Sequence, residues 1–269
     1  MSASPLDDLA MVALDKLVLH ETTESARAQR VCAEIERAGV LADPLVVTPA
    51  RDGRYLVLDG AHRTAALRSL AMVSVVVQVM PLSATGARLG SWAHDLPAGQ
   101  VPRDLAAPAP VGGRTLVATV GGPSVDGASL NRASLDGASL NGAGEGVPVT
   151  GPTEPLARAA AMSAVARRYA GRPYARAIPG TAVRPSVAAR VSWAPWSAED
   201  LLTLVVAGGI LPAGTTRFVL PGRVLGVRVP LTALAAAPGE DGQPGLLDAL
   251  RRQSVRTYTE LVHVVEAGS

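Results

Sequence analysis

Residues 57–67 read Val57-Leu58-Asp59-Gly60-Ala61-His62-Arg63-Thr64-Ala65-Ala66-Leu67, and within them the chain changes from strand to helix. The apolar run that ends at Leu58 is typical of a strand, whereas the alanines and leucine after Arg63 favour a helix. Gly60 permits the tight turn between them because it has no Cβ. This junction, with the strands and helices expected around it, predicts a mixed α/β (α+β) fold.

The same turn is a candidate anion site. A helix N-terminus presents unpaired backbone N–H groups, which favour an anion such as phosphate, and here His62 and Arg63 add side-chain donors. An ordinary strand-to-helix turn is the alternative interpretation. The combination of the Asp59 carboxylate, an imidazole and a guanidinium within one turn favours the functional one.

Composition excludes several classes of protein. The chain has 269 residues and a formal net charge of +2, too small to favour general nucleic-acid binding. Lys16 is its only lysine, so a Walker-type phosphate loop is excluded, and the single Cys32 excludes an internal disulfide or a cysteine-based zinc cluster. No apolar run reaches the roughly 18 residues that a membrane span needs. We expect a soluble, cytoplasmic protein.

Periodicity and breakers predict the surrounding elements. We expect a first strand or the approach to one at 14–19, an amphipathic helix at 24–38 closed by Gly39, and further strands at 45–48 and 73–79. A segment rich in Pro, Ala and Gly at 97–113 predicts a boundary between domains at 1–97 and 98–269.

Two features of the second half stand out. A five-residue period, such as Ala-Ser-Leu-Asp-Gly, runs within 121–146; it resembles pentapeptide repeats but is too short to build a solenoid, so we expect a loosely ordered insertion. Further on, Arg217 and Arg223 are six residues apart, which would place both on one face of an unbroken strand, but Pro221-Gly222 predicts a bend between them. They are either exposed arginines or a clamp for a carboxylate or phosphate.

The order of these elements and motifs along the chain resembles that of the ParB/sulfiredoxin-like superfold. Ala61 stands where sulfiredoxins carry their catalytic cysteine, and the box and helix-turn-helix domain of chromosome-partitioning ParB proteins are not matched. The chain is most similar to the free L-serine kinases of this superfold. The motifs that carry this resemblance are Asp59-Gly60-x-His62-Arg63, His20-Glu21, Ser91-Trp92-Ala93-His94, and Leu211-Pro212-x-Gly214-x-Thr216-Arg217-Phe218 with Arg223.

The resemblance implies a ParB/sulfiredoxin-like nucleotide-binding N-terminal domain and a mixed α/β C-terminal domain. It implies transfer of the terminal phosphoryl group of ATP or ADP, with Mg²⁺, to the hydroxyl of L-serine. Glu21 would be the general base, and Asp59 would position the hydroxyl or the Mg²⁺. The other implied contacts are Gly60, His62, Arg63 and Thr64 for phosphate, and Trp92, His94, Thr216, Arg217 and Arg223 for the substrate.

A second hypothesis is a ParB-like nucleotide-binding regulator without kinase activity, acting in transcription or ligand sensing. A haem-sensing variant of it would need an axial ligand, for which His263 and Cys32 are the candidates. Under the kinase hypothesis, the resemblance implies that O-phosphoserine feeds a specialised amino acid such as 2,3-diaminopropionate in siderophore or natural-product biosynthesis.

Overall fold

The computed structural model describes residues 4–83, 86–109, 112–122, 146–238 and 243–256. In chain order the first elements are β1 (Leu9–Ala13), β2 (Leu17–Val18), α1 (Ser25–Ala38), β3 (Val40–Leu41), β4 (Leu45–Pro49), β5 (Tyr55–Asp59), α2 (Ala61–Ser69), β6 (Ser74–Val79), β7 (Arg88–Ser91) and β8 (Ala93–Pro97). They are followed by β9 (Thr115–Gly121), β10 (Val147–Gly151), α3 (Pro155–Arg167), β11 (Ala175–Ala177), β12 (Val187–Trp193), α4 (Ala198–Val206), β13 (Thr216–Val219), β14 (Val229–Pro230), α5 (Leu231–Leu234) and α6 (Gln243–Arg251).

The first sheet has five strands in the order β1-β6-β4-β5-β2, with both parallel and antiparallel pairs. Its central strands are apolar on both faces, as expected for a sheet covered on both sides. Leu45, Val47 and Val57 belong to one apolar core together with residues of α1 and α2. Val46 and Leu56 point the other way, into a second core.

That second core joins the first sheet to another five-stranded sheet, which is antiparallel and ordered β10-β9-β12-β8-β11. Helices α3 and α4 contribute Met162 and Leu204 to this core, and β12 contributes the buried Trp193. The chain therefore stacks helices, a mixed sheet and a second sheet. This arrangement confirms the predicted mixed α/β class.

Two short pairings fasten the C-terminal half to the N-terminal half: β13 with β7, and β14 with β3. A parallel bridge also joins Glu21 to Leu211, reinforced by hydrogen bonds from Thr22 N–H to the Leu211 carbonyl and from Leu211 N–H to the His20 carbonyl. These contacts bring residues 20–21 beside residues 211–216.

Most of the predicted elements are present in the structure. Of the strand or strand approach expected at 14–19, Leu17–Val18 pair as the edge strand β2, whereas Leu14–Lys16 form a single 3₁₀ turn. The opposite edge of the sheet is β1, which the sequence did not predict. The bend expected at Pro221-Gly222 is confirmed, because β13 ends at Val219 before a turn in which Gly222 has a φ of 58°.

The helix expected at 24–38 is confirmed as α1, and Gly39 ends it in the left-handed conformation. Of the pentapeptide-like insertion predicted at 121–146, residues 123–145 lie outside the described residues. A domain boundary at 97/98 stays a prediction; β8, which precedes it, pairs with β12 and β11 in the second sheet.

The turn at Gly60 is sterically demanding in two ways. Its φ is 101°, and an added Cβ would lie 2.5 Å from Leu45 Cδ2 in the core. Gly53 is a matched comparison, since its φ of 78° is also positive but nothing lies within 4 Å of an added Cβ.

We expect Gly60→Ala to lower the free energy of unfolding by about 2 to 4 kcal/mol, from backbone strain plus a core clash. Gly53→Ala should cost about 1 kcal/mol, from strain alone. Urea denaturation of both variants measures the difference. Equal losses would contradict the clash at Leu45.

Candidate active site

A cavity of about 870 Å³ lies where the first sheet meets the C-terminal half. Its wall brings together the segment after β2, the turn between β5 and α2, the residue between β7 and β8, and the segment from Gly214 to Arg223. Of the residues predicted from the sequence it includes Glu21, Asp59, Gly60, His62, Arg63, Trp92, Thr216, Arg217 and Arg223. Residues nearly 200 positions apart in the chain thus share one cavity.

The Glu21 carboxylate is held by the turn that precedes β13. Oε2 accepts a hydrogen bond from the Gly214 N–H at 2.7 Å, and Oε1 accepts from the N–H groups of Thr215 and Thr216 at 2.9 and 2.5 Å. The hydroxyl oxygens of Thr215 and Thr216 also lie 3.1 and 2.6 Å from Oε1. Successive backbone N–H groups form a concave anion site, and Glu21 occupies it.

The N-terminus of α2 forms another part of the wall. Gly60 precedes the helix in a left-handed conformation, and residues 60–63, at the positive end of the helix where backbone N–H groups are unpaired, line the cavity. His62 lies in this first turn, and its Nε2 atom is buried without a hydrogen-bond partner. Burial, followed by the nearby Arg27, lowers the pKa of His62. An unpartnered polar nitrogen beside a helix N-terminus is suited to an oxyanion such as phosphate.

Asp59 is bound by two arginines. Its Oδ2 accepts hydrogen bonds from Arg63 at 2.6 Å and from Arg223 at 2.7 Å. Arg63 also donates to the backbone carbonyls of Asp43 and Pro44, each at 2.8 Å. Arg63 therefore ties the turn to the preceding loop, whereas Arg223 is exposed and makes no comparable backbone contacts among the described residues.

Arg217 and Trp92 form the opposite part of the wall. The guanidinium carbon of Arg217 lies 5.2 Å from the centre of the Trp92 ring, a cation–π contact that fixes the direction of the charge. Pairing of β13 with β7 places the two residues together. A positioned guanidinium is a suitable partner for a carboxylate.

Thr64 and His94, which were predicted to bind phosphate and substrate, are buried and do not line the cavity. The Thr64 side chain is buried and donates its hydroxyl to the Gly60 carbonyl, which stabilises the first turn of α2. His94 is 1% exposed: its Nε2 donates to the Gly214 carbonyl at 2.8 Å, and its Nδ1 accepts from the Tyr169 hydroxyl at 2.7 Å. His94 thus supports the loop that holds Glu21.

Sequence reasoning missed three residues of this region. His20 is buried against Thr216, Gly214 supplies an N–H to Glu21, and Arg176 lies over Gly214 and pairs with Glu24. His20 and Gly214 belong to the recognised motifs, but the resemblance implied functional roles only for nearby residues such as Glu21 and Thr216. Arg176 lies on β11, and no local signal points to it.

No family model matches the chain. Its fold is that of the free serine kinases: a structure of a glutamate-to-glutamine variant of a free serine kinase in complex with AMP superposes with a TM-score of 0.59. That match is 13% identical and covers 84% of this chain and 94% of the other. A C-terminally truncated SbnI from Staphylococcus aureus superposes with a TM-score of 0.66 at 24% identity, covering 91% of this chain and 95% of that one.

In sequence, the chain is 36% identical over 93 residues to the ATP-dependent L-serine kinase SbnI of Staphylococcus aureus. The aligned region is 35% of this chain and 36% of that protein, so the match spans about a third of the length of the curated relative. The predicted resemblance to free L-serine kinases is confirmed.

Burial lowers the pKa of His94 from its ordinary 6.5 to about 4. As the pH falls, the unfolded chain therefore takes up this proton before the folded chain does, and stability present above pH 6.5 is lost progressively toward pH 4. Between pH 7 and 5 the loss from this residue is about 2 kcal/mol.

We expect His94→Gln to lose less stability than the wild type on going from pH 7 to 5, by roughly that amount. Urea denaturation at the two pH values measures it. His62→Gln serves as the comparison, because its ring is only partly buried. If His94→Gln and the wild type lose equal stability, His94 is not the buried neutral group described.

Proposed function

We propose that this chain transfers the terminal phosphoryl group of ATP to the hydroxyl of free L-serine, giving O-phospho-L-serine. The observation that carries the proposal is one cavity wall that contains a carboxylate, a helix N-terminus with an unpartnered histidine nitrogen, and a positioned guanidinium. The similarity to an ATP-dependent L-serine kinase supports ATP as the donor.

In this proposal the nucleotide phosphates lie against the first turn of α2. The N–H groups after Gly60 and the Nε2 of His62 donate to phosphate oxygens, which offsets negative charge as the phosphoryl group moves. Arg223 lies on the exposed side of Asp59 and can turn toward phosphate, whereas the backbone contacts of Arg63 keep that residue in its structural position.

Glu21 is proposed as the general base. Among the described residues, Oε2 accepts only the Gly214 N–H, which leaves it able to accept a proton, while Oε1 carries the other contacts. The serine hydroxyl gives its proton to Glu21 as its oxygen bonds to the γ-phosphorus, and the bond from that phosphorus to the ADP oxygen breaks. Such a base contributes about 10²- to 10⁴-fold in rate.

Mg²⁺ fits the site through one protein ligand. No group of three or more His, Cys, Asp or Glu side chains capable of holding a metal occurs among the described residues. Magnesium nevertheless needs only one or two carboxylates when phosphates and waters complete its shell. Both arginines bind Oδ2 of Asp59, so Oδ1 is the proposed ligand atom. The ion would neutralise phosphate charge.

The serine is proposed to lie between Glu21 and the pair formed by Trp92 and Arg217. Arg217 takes the substrate carboxylate, the Thr216 hydroxyl lies beside it, and the Trp92 ring bounds the pocket. We further propose that the product is the precursor of a specialised amino acid such as 2,3-diaminopropionate. The identity of adjacent biosynthetic genes tests that step.

We expect Glu21→Gln to abolish formation of O-phosphoserine from L-serine, ATP and Mg²⁺, because an amide cannot accept the proton. Chromatographic detection of O-phosphoserine, with ADP tested in place of ATP, is the assay. Glu36→Gln, an exposed change on α1 outside the cavity wall, is the matched control and should retain activity.

Absence of product from the folded wild-type protein with either nucleotide would overturn the kinase proposal. Nucleotide turnover independent of serine would instead favour the ParB-like nucleotide-binding regulator. Glu21→Gln activity equal to that of the wild type would remove Glu21 from the role of base.

Arg217→Met is expected to raise the KM for serine by about 10- to 100-fold, the equivalent of about 1.5 to 3 kcal/mol for a charge-assisted contact. The KM for ATP should change little. Arg223→Met is the paired variant, expected to act mainly on the KM for ATP. Steady-state kinetics with each substrate varied separately measures both, and the opposite pattern would exchange the two assignments.

A further inference from the structure

A continuous chain of polar contacts links His20 to Glu21 through the Thr216 hydroxyl. The His20 ring is 6% exposed, with Nδ1 3.0 Å from the Val57 carbonyl oxygen and Nε2 2.7 Å from Thr216 Oγ1. Thr216 Oγ1 is in turn 2.6 Å from Glu21 Oε1. His20 does not reach the carboxylate directly, so any influence on it passes through this hydroxyl.

The contacts between His20, Thr216 and Glu21 restrict which of these groups carries a hydrogen. The Val57 carbonyl can only accept, so Nδ1 of His20 carries a hydrogen. The Thr216 hydroxyl has one hydrogen for two short contacts, so it donates to one neighbour and must accept from the other. Either Glu21 is protonated and donates to Thr216, or His20 is doubly protonated and donates to it. If His20 were neutral and Glu21 ionised, the two contacts of the Thr216 hydroxyl would have only one hydrogen between them, so one contact would have no hydrogen bond.

Resting on the function proposed above, we propose that His20 shares one proton with Glu21 through the Thr216 hydroxyl and thereby positions the carboxylate and controls its availability as a base. In one arrangement Glu21 holds the proton. In the other, the O–H bond of Glu21 breaks as Thr216 gains that hydrogen, and Thr216 passes its own to Nε2. The carboxylate is then ionised and can accept a proton from a substrate hydroxyl, with no change in the total number of protons.

The surroundings of the ring oppose a permanent charge on it. Burial lowers the pKa of His20, while the Glu21 charge and the hydrogen bond to Val57 raise it less strongly. The edge of the Phe218 ring packs against the imidazole at 5.3 Å between centroids. The two strands against the ring, β5 and β13, carry Asp59 and Arg217 as their charged side chains, and both of these line the cavity.

The test is an imidazole ¹⁵N NMR titration of the full chain, which contains four histidines. Thr216→Val removes the linking hydroxyl and should lower the protonation midpoint of His20 by about one pH unit, a tenfold loss of proton affinity. Thr216→Ser should restore the wild-type midpoint. Thr215→Val is the matched control: its hydroxyl also contacts Glu21 Oε1, at 3.1 Å, but contacts no histidine among the described residues, so the midpoint should stay unchanged.

Equal shifts in Thr215→Val and Thr216→Val, or none in either, would overturn the proposal. Should Thr216→Val fail to fold, the wild type decides: a shared proton requires the Glu21 carboxyl ¹³C signal and the His20 ring to titrate in common steps, and independent titration refutes it. Because neither measurement uses serine or ATP, coupled titration without serine phosphorylation would sustain the shared proton while removing the kinase assignment.

Discussion

The Glu21 carboxylate accepts hydrogen bonds from the consecutive N–H groups of Gly214, Thr215 and Thr216, and this contact joins the first sheet to the C-terminal half. It depends on the bridge between Glu21 and Leu211 and on His94, which holds the Gly214 carbonyl from behind. Charge-assisted hydrogen bonds of this kind are stronger than neutral ones. The same carboxylate therefore shapes the cavity and faces it.

Across the cavity, the turn after β5 also both stabilises the fold and lines the cavity. Arg63 binds Asp59 and two backbone carbonyls, which fixes the start of α2 and orients its N–H groups. The role of Arg63 as a phosphate contact stays a prediction, and its present contacts also give it a structural role. Arg223, which shares Asp59, comes from a different segment and retains exposure. Of the two arginines that bind Asp59, Arg63 is therefore held by more contacts than Arg223.

Local patterns were sufficient to predict the strand, turn and helix around Gly60, the helix closed by Gly39, and the mixed α/β class. They also predicted the bend at Pro221-Gly222, before which β13 ends. They failed where long-range pairing decides: β1 was missed because its residues resemble their neighbours. In the site, recognised motifs located Glu21 and Asp59. They could not show that the Gly214 N–H binds Glu21 or that Arg176 packs against Gly214, because both contacts join residues more than 30 positions apart.

The pairing of β9 with β10 brings the two ends of the segment between them together. Val120 lies opposite Val147, so the ends of the intervening segment meet, and β10 is the outermost strand of its sheet on the side away from β8 and β11. Loop-closure entropy grows only logarithmically, by about 0.6 kcal/mol for each doubling of length. Homologous chains can therefore gain or lose residues at this hairpin at small thermodynamic cost, which makes it a tolerant place for evolutionary change in length.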